Sequence, residues 1–401
     1  MSTYIIDALR SPIGSFGGSL GPVRADDLAA TILKALMQKN PNIPLSAIDD
    51  VILGCVNQSG DDNRNVARMA LLLAGFPYTV PGETVNRLCA SGMSAVVQAY
   101  RAISSGDGDI FVAGGVEHMT RSPYVVSKAS KAYGTDSVMV DSSFGWRFVN
   151  PKMEQMYGTE AMGKTAENLA AIFKISRAKQ DEFAYHSQMK AAKASQNGRH
   201  AQEIEPILIP NKVDGGIVFD KDEFSKPFTT LEKLSVLRPA FLKENGTVTA
   251  GNSSGLNDGA AAMILSSDKG LLEYQLKPIA KILSSAVVGV EPRIMGIGPV
   301  EASNRALQKA GLTMKDMDVI ELNEAFAAQS LACIQSWGLN HDDPRINPNG
   351  GAIALGHPLG MSGCRIIQSA AFELRNSDKK YALATMCIGV GQGYAVVLEK
   401  C

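Results

Sequence analysis

The chain has 401 residues, 45% of them hydrophobic and 20% charged, an ordinary globular balance in a length that calls for more than one packed core. Its 39 basic and 40 acidic residues leave a net charge of −1, so overall charge gives no basis for nucleic-acid binding. No apolar run approaches the ~18 residues that a membrane-crossing helix needs.

Taken in chain order, the first 120 residues alternate short β-like runs with helical patterns. Residues 4–7 and 51–54 read as strands, and residues 26–38 as a helix whose first turn carries Asp26 and Asp27. Residues 91–105 read as an Ala- and Val-rich helix. The apolar run 109–114, closed by glycine, predicts a buried strand. This alternation favours a layered α/β fold with helices on both faces of a sheet. From 121 to 246 the pattern changes, with more aromatic, Met and Pro residues and a charged helix over 177–194, as expected of a large insertion. Residues 247–266 return to a glycine-rich turn and an apolar strand, and the last third alternates strand and helix again. The segments after Ser91 and after Gly360 are alike: each starts with small residues, runs into a helix and ends in an apolar strand with clustered glycines. That suggests two similar halves.

The six cysteines include no CxxC pair and have no paired histidines beside them, which argues against a zinc site. The ends of the chain read as neither a leader nor a peroxisomal address, so reduced thiols in the cytoplasm are expected. Cys89 precedes a helix and is followed by small residues. A helix N-terminus lowers a thiol's pKa, so an enriched thiolate is expected there, although a small buried core residue is the commoner role for cysteine. His357 is one of five histidines and is followed by Pro358, which suits a helix start. A histidine held there can serve as base to a thiol or donor to an oxyanion. Cys387 opens the glycine-rich run 387–393, whose N–H groups can line an oxyanion site. That run lacks the spacing and the acidic residue about 20 positions on that a dinucleotide loop requires. Asn323 and Glu324 follow a strand-like run, where open α/β sheets place ligand-contacting groups, and Asn323 also suits a helix cap. On residue chemistry alone, a thiol acyltransferase and a Cys-His-Asn hydrolase both remain open.

Taken together and in this order, the segments around Cys89, Asn323, His357 and Cys387 resemble the thiolase family over nearly the whole chain. The resemblance implies two similar βαβαβαββ halves in a five-layered α/β/α/β/α sandwich with an inserted loop domain. The corresponding division is residues 1–120 with 247–272, the loop domain 121–246, and residues 273–401. It implies that Cys89 carries the acyl group, that His357 activates it, and that Cys387 moves a proton to and from the α-carbon of acetyl-CoA. Asn323 then holds a water that completes one oxyanion hole with His357. The N–H groups of Cys89 and Gly389 form the other. Ser254 matches the family serine near the pantetheine, and Met162 and Phe326 fall in segments expected at the substrate. Coenzyme A enters as substrate, with no permanent cofactor and no metal. A homo-oligomer, dimer or tetramer, is expected, with no nucleic-acid or membrane partner.

Several segments, among them 60–75, 144–153 and 387–393, are similar to the branch that acts on 3-oxoadipyl-CoA. Val390 stands where glycine is commoner in the family, and Ala161 stands where short-chain members carry histidine. The distal carboxylate of such a substrate needs a cation or several donors. Arg64, Arg68 and Arg147 are the candidates. The rival expectations are an acetoacetyl-CoA thiolase, a general 3-ketoacyl-CoA thiolase, a β-ketoacyl synthase, which uses a single cysteine, and a non-catalytic thiolase-like lipid carrier.

Overall fold

The computed structural model describes residues 1–210 and 215–401. The first half runs β1 (Thr3–Arg10), α1 (Ala25–Lys39), β2 (Asp50–Gly54), α2 (Val66–Leu73), β3 (Gly82–Val85), α3 (Ser91–Ser105) and β4 (Ile110–His118). The insertion follows, with two short two-stranded ribbons and the helices α4 (Met162–Ile172) and α5 (Arg177–Gln196). The chain then completes the first half with β5 (Asn257–Ser267). The second half contributes β6 (Ala280–Gly289), α6 (Gly298–Ala310), β7 (Val319–Leu322), α7 (Ala327–Ser336), α8 (Leu359–Arg375), β8 (Tyr381–Ile388) and β9 (Gln392–Lys400).

The strands stand in the order β7-β8-β9-β6-β1-β5-β4-β2-β3, and a short strand, Gly14–Ser15, pairs with β5 to make a ten-stranded ladder. The two halves repeat one pattern. In the first, β3-β2-β4 are parallel, and β5 and β1 continue antiparallel. In the second, β7-β8 are parallel, and β9 and β6 continue antiparallel. The counterpart of β3 in the second half is reduced to a single parallel bridge, Ile320 to Ile346. Asn347 explains why so little suffices. Its side chain accepts from Leu322 N–H at 2.8 Å and donates to Leu322 C=O at 2.9 Å, satisfying backbone groups that a strand would otherwise pair. The halves join where β1 pairs with β6 over Thr3–Ile5.

Helices α3 and α8 pack on each other and lie between the halves, α1 and α2 cover the outer face of the first, and α6 and α7 that of the second. This is the five-layered sandwich. The middle layer explains the sequence of β4 and β5: both strands are buried along their whole length, so they read as continuous small and apolar runs and not as alternating ones. Strand β4 runs four residues past the Gly114 end expected from sequence. The Gly114-Gly115 pair does not end the strand but lets a helix approach it: a Cβ on Gly115, or on Gly92 of α3, would collide with the carbonyl oxygen of Gly360 in α8.

Candidate active site

Cys89 lies one residue before the N-cap of α3, in a turn forced tight by Leu88, whose φ is +46°. The Ser91 hydroxyl clamps this turn. It donates to the Leu88 carbonyl at 2.6 Å and accepts from the Arg87 N–H at 2.9 Å. The thiol is half-buried and faces a cavity of about 510 Å³. Burial pushes the Cys89 thiol above its ordinary range, against the pull of the Gly389 N–H and its own N–H. The expectation of an enriched resting thiolate is therefore corrected: desolvation outweighs the helix N-terminus. Both N–H groups thus lie near the sulfur, as donors available to an oxygen on a carbon bonded to it.

His357 sits at the entry of α8, with Pro358 as N-cap and not at the first helical position. Its ring is fixed from both sides. Nδ1 lies 2.7 Å from Ser362 Oγ, and Ser362 donates its proton to the Pro358 carbonyl at 2.8 Å. The Ser362 proton is thus committed, so Nδ1 is assigned the donor and Nε2 keeps its lone pair. Nε2 lies 3.4 Å from Asn323 Nδ2, and Asn323 Oδ1 is buried with no hydrogen-bond partner among the described residues. A buried, unpaired carbonyl oxygen beside an imidazole fits a bound water. Burial, and then the charge of Arg365, lower the His357 pKa to about 3, so the ring is neutral at physiological pH.

Cys387 ends β8 in an apolar cluster with Ala166, Ala325, Phe326, Met295 and the half-buried Met162. Burial raises its thiol well above the ordinary range, and a charge on Cys89 would raise it further, which marks the two sulfurs as electrostatic neighbours. Phe326 packs edge-on against Phe241 at 6.2 Å between centroids. Ser254 donates through N–H and hydroxyl to the Ala325 carbonyl, at 3.0 and 3.1 Å.

Among the residues singled out from sequence, Cys89, Met162, Gly389 and Arg147 line the one cavity, together with Ala161 and Val390. Arg64 does not. It is exposed, at a φ of +61°, and outside that lining. Arg68 is also committed elsewhere, donating to the carbonyls of Val80 and of Tyr78, the latter at 2.9 Å.

Sequence reasoning passed over three residues that hold the site in place. Glu117, at the end of β4, is buried beside the cavity. It accepts from the N–H groups of Val56, Asn57 and Gly360 at 3.1, 3.0 and 2.9 Å, tying α8 to the first half. Asn257 accepts the His357 N–H at 3.0 Å and donates to the Gly14 carbonyl at 3.0 Å. Ser362 sets the imidazole tautomer. Glu324, noted from sequence only as Asn323's neighbour, accepts from Asn347, Ser187 and the Ile353 N–H, and so anchors the loop that leads to His357. Asn257 stands in the noted glycine-rich turn and Ser362 in the small-residue run of α8. Glu117 carried no signal in sequence beyond following an apolar strand.

A pair of thiols, a neutral imidazole and two backbone N–H donors, carried by this doubled α/β sandwich, define an acyl-transfer enzyme of the thiolase class. The chain belongs to the thiolase family: residues 3–269 match the thiolase N-terminal domain and residues 276–400 the thiolase C-terminal domain. It is 55% identical over 397 residues to the 3-oxoadipyl-CoA/3-oxo-5,6-dehydrosuberyl-CoA thiolase of Escherichia coli K12, covering 99% of each chain. It is 53% identical over 397 residues to a beta-ketoadipyl-CoA thiolase of Acinetobacter baylyi, again over 99% of each. The crystal structure of the Bacillus anthracis acetyl-CoA acetyltransferase superposes with a TM-score of 0.92 at 40% identity, over 100% of this chain and 99% of that one. The protein is accordingly an acyltransferase that uses CoA thioesters as substrates. No helix among the described residues is long and apolar enough to cross a membrane.

Proposed function

We propose that the protein cleaves 3-oxoadipyl-CoA with coenzyme A to succinyl-CoA and acetyl-CoA, passing the acyl group through Cys89. The observation that carries the reading is that Cys89 and Gly389 line one cavity, with the protonated Cys387 thiol as the electrostatic neighbour of Cys89. The dicarboxylic substrate is the one that the E. coli and A. baylyi relatives are named for.

In this mechanism His357 Nε2 takes the Cys89 proton, and the sulfur attacks C3 of the substrate. The new oxyanion is held by the N–H groups of Cys89 and Gly389. The C2–C3 bond then breaks. Its electron pair becomes the enolate of acetyl-CoA, whose thioester oxygen is met by protonated His357 and by a water on Asn323. Cys387 delivers its proton to C2, giving acetyl-CoA and acyl-Cys89. A second CoA thiol, deprotonated in turn at the site, attacks the acyl carbon and frees Cys89. Removing both oxyanion holes from such a sequence would cost several kcal/mol, because the charge develops in a cavity poor in water. Met162 shapes the apolar wall, Phe326 packs in the apolar cluster with Met162 and Cys387, and Ser254 lies on the pantetheine side. No resident cofactor or metal has a role. We propose further that residues 1–120 with 247–272, 121–246 and 273–401 are the three structural units. The enzyme is a homo-oligomer in the cytoplasm.

The experiment is steady-state thiolysis of 3-oxoadipyl-CoA and acetoacetyl-CoA by the purified protein. A kcat/KM ratio of tenfold or more for 3-oxoadipyl-CoA, about 1.4 kcal/mol of discrimination, is expected, with Cys89→Ala inactive on both. The reverse ratio would move the enzyme to acetoacetyl-CoA, the chemistry of the B. anthracis neighbour. Absent thiolysis would leave a lipid carrier.

A further inference from the structure

Among the described residues, Arg147 is the one basic side chain lining the catalytic cavity. The walls around it are largely apolar, formed by Leu88, Phe144, Trp146, Ala161, Met162 and Val390. The one carboxylate among the described residues of the lining, Glu117, is already occupied by three backbone N–H groups. Among the described residues Arg147 has no ion-pair partner. Its one hydrogen bond is a long one, from Nη1 to Ser59 Oγ at 3.4 Å. The loop that carries it is pinned by Trp146, whose indole N–H donates to the Glu160 carbonyl at 3.3 Å. Glu160 is in turn held by Arg293 at 2.7 Å. A half-buried guanidinium with a free fork, on a fixed loop beside apolar walls, is matched by a ligand that brings its own carboxylate.

We propose that Arg147 binds the distal carboxylate of a dicarboxylic 3-oxoacyl-CoA and is the residue that selects it over neutral acyl chains of the same length. This rests on the thiolase reading above and on its dicarboxylic substrate. Ser59 steadies the guanidinium through one long bond, and a carboxylate replaces it by two short parallel ones. A neutral chain gains nothing there and leaves the cation partly desolvated and unpaired, so discrimination comes from both sides.

The test compares thiolysis of 3-oxoadipyl-CoA with that of 3-oxohexanoyl-CoA, which has the same six-carbon chain with a methyl group in place of the carboxylate. Wild type, Arg147→Ala and Arg147→Lys are assayed, with a thermal melt on each. The wild type is expected to favour the dicarboxylic substrate. Arg147→Ala is expected to reduce the ratio of the two kcat/KM values about thirtyfold, mainly through KM, at an unchanged melting temperature. Arg147→Lys keeps part of the ratio as a point charge without the fork. An unchanged ratio in Arg147→Ala overturns the proposal. An equal fall for both substrates also overturns it, and assigns Arg147 to the coenzyme A moiety. A wild type with no preference sinks the dicarboxylic reading itself, a failure that shows before any variant is assayed.

Discussion

Glu117 and His357 are both buried at the site, and burial moves their protonation in opposite senses. Desolvation raises Glu117 to about 7 from 4.5 in spite of its three N–H donors, and lowers His357 to about 3 from 6.5. A raised carboxyl binds its proton more tightly in the folded state, so its contribution is whole below the unfolded pKa and is lost as pH climbs to about 7. Glu117→Gln has no such titration and cannot accept from three donors. It should melt below the wild type everywhere, with a gap that narrows between about pH 5 and 7 in thermal melts. A gap that widens with pH would mean that the donors outweigh burial. The lowered His357 acts the other way, costing stability as pH falls from 6.5 towards 3, and it predicts no acid limb near 6.5 in kcat/KM from this ring.

Val390 is a β-branched residue at a φ of +62°, a region that costs such side chains about 1–2 kcal/mol. It is partly exposed, so little burial is lost on its removal. Val390→Gly should raise stability by up to about 1 kcal/mol after glycine's own entropy cost, measured by urea unfolding. Val390 lines the cavity, and a native sequence that keeps this strain keeps it at the acyl site.

At the scale of elements, the site depends on how closely α3 and α8 approach each other and β4. Cys89 enters one helix and His357 the other, so the distance between the thiol and the imidazole is set by helix packing. Gly92 meets the Gly360 carbonyl across that contact, a rigid backbone atom that cannot yield. Gly92→Ala should cost about 3 kcal/mol and lower kcat strongly, read by melting and thiolysis together. A stable, active variant would show that the helices can separate without moving the two catalytic side chains. The helices themselves were readable in sequence: α3 was predicted at its observed bounds and α1 within a residue at each end. The end of β4 was not, because a glycine pair reads as a turn until the helix crossing it is known.

For the whole molecule, the insertion presents an apolar surface that the single chain leaves open. In its first ribbon Tyr124, Val126 and Met139 are 70%, 61% and 65% exposed, and Val126 faces Met139 across the ladder. Such a cluster on a defined ribbon suits a contact between copies. Replacing Val126 and Met139 by Lys should lower the assembly's mass in light scattering, and an unchanged mass would put the contact elsewhere. The strand β3 leaves a sheet edge open on the same half, a second surface of the kind oligomers cover.

The sequence by itself marked the candidate residues, and their joint resemblance to the thiolase family implied the class of chemistry. Cys89, Asn323, His357 and Cys387 each sit in a local pattern of turn residues, small residues and helix starts, and local patterns survive in one dimension. It also determined the alternation of strand and helix and the doubled architecture, since periodicity and internal similarity need no contacts to be read. What only the tertiary structure decided are the quantities set by neighbours distant along the chain. Glu117 gains its role from Gly360, 243 residues away, and Asn257 from His357, 100 residues away. The direction of the Cys89 shift turned on burial, which local sequence cannot weigh against a helix dipole. Arg147 was separated from Arg64 and Arg68 by which of the three lines the cavity with no ion-pair partner among the described residues, because a cation's availability is a property of what surrounds it.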